Sequence, residues 1–350
     1  MERHTTSTKK PVFAGIDYHK KFSVVTLGDK SGKVILQETL VNNEKIVKDF
    51  FTKHKKLVCA VESCRGYEWF VSLLEELGHE IKMGDSRSIK LIAVSRCKTD
   101  RIDSLILMEM LAKGYLPCAY QPNWKERDYR QLLRHRVQMV RTSTKHKLRV
   151  HAILDKENRG VTYPFTGKGR EVLKEIVLSE RGRELLDDEL EIIDFLEEKI
   201  AEQYKKISFL ARQNPDVGRL KKIPGFDTLS AMMLFAEVGD ITRFRNADQL
   251  ASYTGLVPRV YSSGGSTRTG RITKQGPKLL RWILVQSAWA AIKASPNLHR
   301  FFTTISRKKS QKVAIVAVAR KLATIAFHVL KEKAIFDESK LDAGLARAAF

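Results

Sequence analysis

Four carboxylates stand where metal-assisted phosphoryl transfer could use them. Asp17 falls at the centre of an apolar run, Val-Phe-Ala-Gly-Ile-Asp-Tyr-His. A carboxylate in such a run is costly to bury unless a cation or a donor meets it. Glu62 closes a second apolar run, Leu57-Val-Cys-Ala-Val-Glu. Asp100 and Asp103, in Lys98-Thr-Asp-Arg-Ile-Asp, are spaced i, i+3 and share one face of a helix. Taken singly, each acid also fits a cap or a surface position. Together they form a set able to hold one or two hard divalent cations. Mg²⁺ suits such a set, because it keeps a few carboxylates, water and phosphate oxygens around it. Two such ions about 3.5–4 Å apart stabilise both the attacking and the leaving oxygen. His19, two residues after Asp17, reads as a solvated strand-end residue rather than a ligand.

A second constellation lies far along the chain, in Gly255-Leu-Val-Pro-Arg-Val-Tyr-Ser-Ser-Gly-Gly-Ser-Thr-Arg-Thr-Gly-Arg-Ile-Thr-Lys-Gln-Gly. Between Leu256 and Arg281 there are six Lys/Arg and no acid. Ser262 and Ser263 are candidate nucleophiles, and a serine hydroxyl needs activation or charge stabilisation to act as one. Arg259, Arg268, Arg271 and Lys274 could hold a scissile phosphate and offset its developing charge. The glycines permit close backbone approach to a ligand. With no His or carboxylate in the segment, any general base must come from elsewhere. The plainer reading is a flexible phosphate-binding loop whose serines bond the backbone. Upstream, Ile223-Pro-Gly-Phe-Asp-Thr sits between helical segments. Such a helix–hairpin–helix-like turn can offer N–H groups to a phosphate, and Asp227 can equally be a plain helix cap.

The elements that must position these groups follow from periodicity. Pro11–His19, Phe22–Gly28 and Val34–Val41 read as strands, with a turn at Asp29-Lys-Ser-Gly32. Asn43–His54 reads as a helix. Leu57–Ser63 is a strand apolar enough to be covered on both faces. Tyr67–Leu77 is an amphipathic helix closed by Gly78, Glu80–Met83 a short strand, and Ser86–Leu116 mostly helical. The order β-β-β-α-β-α-β-α is that of an RNase H-like (RuvC-like) fold. Gln121–Val150 is a basic helical stretch, nine Lys/Arg against two acids, and Arg134, Arg141 and Lys145 on it are candidate backbone contacts. Glu171–Gln203 reverses the sign, twelve acids against four bases. Leu186, Leu190, Ile193, Ile200, Tyr204 and Ile207 follow 4-3-7-4-3 spacing, the a/d seam of a coiled coil or of a helix packed on its own domain. The rest reads as mostly helical. The predicted class is therefore α/β plus all-α, in three parts: 11–118, a connector over 119–213, and a C-terminal domain over 214–335.

Composition narrows the function. The 350 residues carry a formal charge of +23, and 43% are hydrophobic, so the chain can fold and prefers a polyanion. The longest apolar runs, such as Val313–Val318, fall short of the roughly 18–20 residues of a membrane span. Met1–Lys10 is polar and basic, unlike a secretory signal. Cys59, Cys64, Cys97 and Cys118 lack metal-site spacing and read as buried free thiols of a reducing compartment.

The motifs Gly15-Ile-Asp17, Val61-Glu62, Lys98-Thr-Asp100-Arg-Ile-Asp103, Ile223-Pro-Gly225, Gly255-Leu-Val-Pro258 and Ser262-Ser-Gly-Gly265 occur in one order over most of the chain. In this the sequence resembles the DEDD-type transposases of bacterial insertion sequences, which are related to the Piv-type DNA invertases. The resemblance implies a RuvC-like domain bearing Asp17, Glu62, Asp100 and Asp103, a helical coiled-coil connector, and a C-terminal domain with a nucleophilic serine. That serine is Ser262, with Ser263 as the fallback, and Tyr261 before it departs from the pattern. The resemblance further implies Mg²⁺, a covalent phosphoserine intermediate, and DNA as substrate. It implies a structured guide RNA from the element and a homo-oligomer, dimer or tetramer, in which one subunit's acids meet another's serine. It places the protein in the bacterial cytoplasm, at the nucleoid. Two other readings compete. A metal-dependent junction resolvase or nuclease would form no covalent adduct. A non-catalytic scaffold dimerised through Leu186–Ile207 would break no strand.

Overall fold

The computed structural model describes residues 12–92, 99–263, 266–339 and 341. The chain divides into two compact units, with the division after Gln121. The sequence stretch read as a connector falls in the second unit together with the C-terminal part.

The first unit is a five-stranded sheet in the order β3-β2-β1-β4-β5. Its strands are β1 (Phe13–Tyr18), β2 (Phe22–Gly28), β3 (Val34–Val41), β4 (Val58–Glu62) and β5 (Glu80–Gly84). β1 runs antiparallel to β2 and parallel to β4, so it is central. Helices α1 (Glu44–Phe51) and α2 (Glu68–Glu76) supply Val47, Phe50, Phe51, Phe70, Val71 and Leu74 to a core shared with Ile16, Val25 and Val61. Short α3 (Ser86–Ile92) and α4 (Asp100–Ala112) follow. Periodicity predicts each strand and the first two helices, with ends displaced by a few residues at most, and the stretch Ser86–Leu116 that it reads as mostly helical holds α3 and α4. The five-stranded mixed sheet with its helices is consistent with an RNase H-like DEDD domain. Residues 93–98, Cys97 among them, lie outside the described residues.

α4 packs on β1 with no side chain between them at Gly15. A β-carbon there would lie 2.1 Å from the Ser104 carbonyl oxygen and 2.3 Å from the Met108 nitrogen. Hydroxyls lock the approach: Thr26 on β2 and Ser104 on α4 share a buried hydrogen bond of 2.8 Å. Gln37 Nε2 on β3 donates to Thr26 Oγ1 and to the Arg101 carbonyl, both at 2.8 Å.

The second unit begins with α5 (Trp124–Lys156), α6 (Gly167–Glu175) and α7 (Glu180–Arg212). α5 and α7 pack antiparallel. Leu133 and Val137 share a core with Ile207 and Ala211, and Val150 and Leu154 share another with Leu186 and Ile193. The a/d seam of α7 is therefore turned onto its own chain, as a helix packed on its own domain. The opposite charges of the two helices meet as well. Glu189 pairs with His146 and Arg149, and Glu197 pairs with Lys147.

Next come α8 (Pro215–Leu220), α9 (Thr228–Val238), α10 (Ala247–Thr254), the hairpin β6 (Pro258–Ser263) and β7 (Ser266–Ile272), and then α11 (Lys278–Ala294), α12 (Pro296–Lys308) and α13 (Gln311–Lys331). α9, α11 and α13 build the main core, with Met232, Leu234, Leu280, Leu284, Leu322 and Ala326 all nearly inaccessible. α13 is long and apolar enough to cross a membrane, longer in that sense than the runs visible in the sequence. Its Ile315, Val318, Leu322, Ile325 and Val329 are spent on this core. The cysteines divide: Cys59 is buried as expected, whereas Cys64 and Cys118 are exposed.

Candidate active site

Asp17 sits near the carboxyl end of the central strand, 8% exposed. Side chains alternate across a strand, so Asp17 leaves the sheet on the same face as Gly15, the face that α4 covers. α4 starts at Asp100, where the Thr99 hydroxyl caps the helix by accepting from the Ile102 N–H. The Gly15 contact thus delivers the first turn of α4, with Asp100 and Asp103, to Asp17. Asp17, His19 and Asp100 offer ligand atoms that all lie within 4.8 Å of one another. His19 Nε2 stands 3.1 Å from Asp17 Oδ2 and 3.4 Å from Asp100 Oδ1. The strand-end expectation for His19 holds in position, but the side chain bridges two carboxylates rather than facing water alone.

Burial raises the Asp17 pKa above the usual carboxylate value. His19 opposes that rise, and Asp103 and Asp100 add to it by like-charge repulsion. Asp103 is thus near enough to act on Asp17. Glu62 ends β4 and continues the parallel register that pairs Ile16 with Val61, which sets it beside Asp17 at the sheet edge. The loop after it belongs to the same neighbourhood. Though Cys64 as a residue is exposed, its thiol is turned in toward the Tyr18 carbonyl, and it is pushed up to about 11 by this partial burial first, then by Glu62, Asp17 and Glu68. Lys20 and Arg65 are exposed in the loops that follow β1 and β4, and Arg101 is exposed in the first turn of α4.

The serine segment is a β-hairpin, where the sequence suggests a loop. Tyr261 pairs with Arg268, Ser262 with Thr267 and Ser263 with Ser266. Ser262 is exposed on β6, as are Arg259, Arg268, Arg271 and Lys274 around it. Gly264 and Gly265 lie outside the described residues. The root of the hairpin is pinched by two glycines in the left-handed region. A β-carbon on Gly255 would lie 2.1 Å from the Gln275 carbonyl, and one on Gly276 would lie 1.9 Å from that of Tyr253. Thr273 N–H donates to the Val257 carbonyl and Lys274 N–H to that of Gly255, which closes the root.

Two other sequence candidates have structural employment. Arg134 makes a forked ion pair with Glu237, whose side chain is 3% exposed against 54% for the arginine. It clamps α5 to α9, a structural role beside the backbone contact that the sequence suggests for it. Arg130 joins it by donating to the Ala236 and Glu237 carbonyls. Arg141 and Lys145 are exposed on α5. At the Pro224-Gly225 turn, Asp227 caps α9 by accepting from the Ser230 N–H at 2.7 Å, and Ser230 Oγ accepts from the Asp227 N–H. Part of the donor set that a phosphate would need is therefore occupied by a cap. Gly225 packs its backbone on α11, where a β-carbon would meet the Ser287 carbonyl at 2.2 Å.

Comparison with known proteins follows this division of labour. Residues 14–158 match a DEDD-type transposase model of the IS110 kind. Residues 217–303 match the model described as "Transposase IS116/IS110/IS902 family". A protein of Pseudomonas aeruginosa named "Probable family 20 transposase" is 26% identical over 340 residues, covering 92% of this chain and 97% of its own. The transposase for insertion sequence element IS1328 of Yersinia enterocolitica is 25% identical over 335 residues, covering 93% and 98%. The pilin gene-inverting protein of Moraxella bovis is 34% identical over 122 residues, 34% of this chain and 38% of its own. The acids and the serine hairpin fall in the two matched segments in turn. The chain belongs to the IS110/IS116 family of insertion-sequence transposases, DNA recombination enzymes with a DEDD domain followed by a second transposase domain.

Proposed function

We propose that this transposase cuts and rejoins DNA at the ends of its own element through a serine nucleophile and an acidic Mg²⁺ site. The observation that carries the reading is the convergence of Asp17, His19 and Asp100 at the carboxyl end of the central strand. A desolvated carboxylate crowded by two further acids is a group that a hard cation stabilises. Asp17, Glu62, Asp100 and Asp103 would hold one or two Mg²⁺ ions, with His19 as a nitrogen ligand or a donor to the carboxylates. Bound metal would polarise the phosphoryl oxygens and offset charge in the transition state.

Ser262 Oγ attacks the scissile phosphorus. The Oγ–P bond forms as the P–O bond to the DNA hydroxyl breaks. The serine proton passes to a base, and the departing oxygen gains one. A hydroxyl from the second strand then attacks the phosphoserine, restores the phosphodiester and returns the proton to Ser262. Bonds are exchanged one for one, so the reaction needs no energy source. Arg259, Arg268, Arg271 and Lys274, exposed around the hairpin, grip the phosphates. Arg141 and Lys145 on α5 hold backbone farther away. A structured RNA from the element and assembly into a homo-oligomer complete the reading, and both rest on the family resemblance.

The test is a trapped reaction with DNA carrying the element junctions. Wild-type chain should yield a phosphoserine peptide containing residue 262, and Ser262→Ala should yield neither adduct nor strand exchange. An adduct on Ser263, or full exchange by Ser262→Ala, overturns the assignment. Cleavage with no adduct at all favours the hydrolytic nuclease. Asp17→Asn that exchanges strands normally in Mg²⁺ removes the metal site. RNA sequenced from the purified protein should be enriched in element transcripts, and host RNA alone removes the guide.

A further inference from the structure

Beside the acids, on the opposite face of the same strand end, stands an aromatic side chain that the reaction as drawn does not use. Tyr18 follows Asp17 on β1 and points away from α4, into the core with α1 and α2. Its hydroxyl donates to the Gly66 carbonyl at 2.8 Å and accepts from Trp69 Nε1 at 2.9 Å. The Tyr18 ring meets Phe70 edge-on at 5.5 Å, and Phe70 meets Trp69 in the same way at 5.5 Å. The indole is thus fixed in orientation from behind, yet Trp69 is 38% exposed. Its one polar atom is already bonded inward, so the surface it offers outward is ring carbon. Arg65, in the loop joining Glu62 to α2 and four residues before Trp69 in the chain, is exposed.

We infer that Trp69 is a positioning residue: a platform on which the nucleobase flanking the scissile phosphate stacks, with Arg65 gripping the adjoining phosphate. This rests on the reading that the acids of the first unit act on DNA. Three features favour a base over another occupant. The ring is immobilised, so little entropy is lost when something flat settles on it. Its indole N–H is tied to the hydroxyl of Tyr18, the residue that follows Asp17 on β1, which anchors the platform to the strand end that carries the acid. The cations around the site, Lys20, Arg65 and Arg101, select a polyanion. Base–aromatic stacking contributes about 1–3 kcal/mol per base and tolerates any sequence. That suits an enzyme whose DNA targets are chosen by some other part of the complex.

The test uses a 20-nucleotide single strand in which 5-iodouracil replaces thymine, photocrosslinked to the full-length protein and mapped by mass spectrometry. A stacked aromatic captures this base, so an adduct on Trp69 is expected. Adducts confined to other aromatics, such as Tyr261, Trp282 or Trp289, overturn the proposal, and they also identify any competing platform. Strand exchange gives the second readout. Trp69→Ala should slow it about 10- to 100-fold. Trp69→Phe, which lacks the indole N–H but keeps a ring, should stay within about threefold. If both variants slow equally, the residue is merely structural and the proposal falls. Asp17→Asn separates the two readings. It should retain the Trp69 adduct while losing exchange. Retained exchange in Asp17→Asn would refute the acidic site without touching the platform.

Discussion

Replacing Gly15 by alanine puts the geometry of the acidic site under direct strain. The added carbon would start 2.1 Å from the Ser104 carbonyl oxygen and 2.3 Å from the Met108 nitrogen, both main-chain atoms that no rotamer change can move. An ordinary contact needs about 3.5 Å, so α4 must retreat by about 1.4 Å or the strand must buckle. The Thr26–Ser104 bond, 2.8 Å in the native chain, would stretch past the limit of a hydrogen bond. It would leave buried hydroxyls short of a partner, at about 1–3 kcal/mol. Overpacking adds about 1–3 kcal/mol. Asp100 and Asp103 ride on the displaced helix, and a misplacement of about 1 Å can cost about 100-fold in rate. Gly15→Ala should therefore lower the thermal midpoint by several degrees and strand exchange by about two orders of magnitude. Differential scanning fluorimetry and a plasmid exchange assay measure the two. Gly160→Ala is the control, because no atom lies within 4 Å of its would-be β-carbon. A Gly15→Ala chain that melts and recombines like wild type refutes the argument that this contact sets the site.

Two further outcomes follow from close contacts in the second unit. Arg134→Met strands the nearly inaccessible Glu237 carboxylate and should destabilise by about 2–4 kcal/mol in urea unfolding, with Glu237→Met restoring much of the loss. The same Arg134 change should leave the salt slope of DNA binding alone, whereas Arg141→Ala with Lys145→Ala should reduce it by about 2; the reverse pattern would restore Arg134 to the interface. Gly225→Ala combines a left-handed backbone with a 2.2 Å clash against the Ser287 carbonyl. It should cost about 2–4 kcal/mol by thermal melt, and an unchanged midpoint would show that the turn yields.

The sheet was legible because its strands obey a simple physical rule. Val12–Ile16 and Leu57–Val61 are apolar runs, as strands covered on both faces must be, so the acid that ends each one stands out. The i, i+3 pair on α4 was equally legible from helix geometry. His19 was harder. Its i, i+2 relation to Asp17 places both on one face, but only the arrival of α4 makes that face a cluster. The hairpin was missed because Arg259–Ile272 has few apolar residues to alternate, and its register rests on main-chain bonds and on the glycines at its root. Arg134 shows the limit of counting charge. A guanidinium facing solvent and one clamped on Glu237 read the same in sequence, and the sign of a partner 103 residues away decides between them.

The hairpin that carries Ser262 is held at its root by main-chain bonds and by Ile272 against the core. Val260 and Tyr261 are more than half exposed, and two strands alone are marginal in water. An arm of this kind gains its final shape from the surface it rests against. A chromosome offers such a protein millions of phosphodiesters, each a chemical match for the serine nucleophile proposed above. If the serine is held firmly only where a large and correct assembly presses on the arm, chance encounters leave the host's DNA intact. Mobility across a genome and restraint toward it would then share one structural origin.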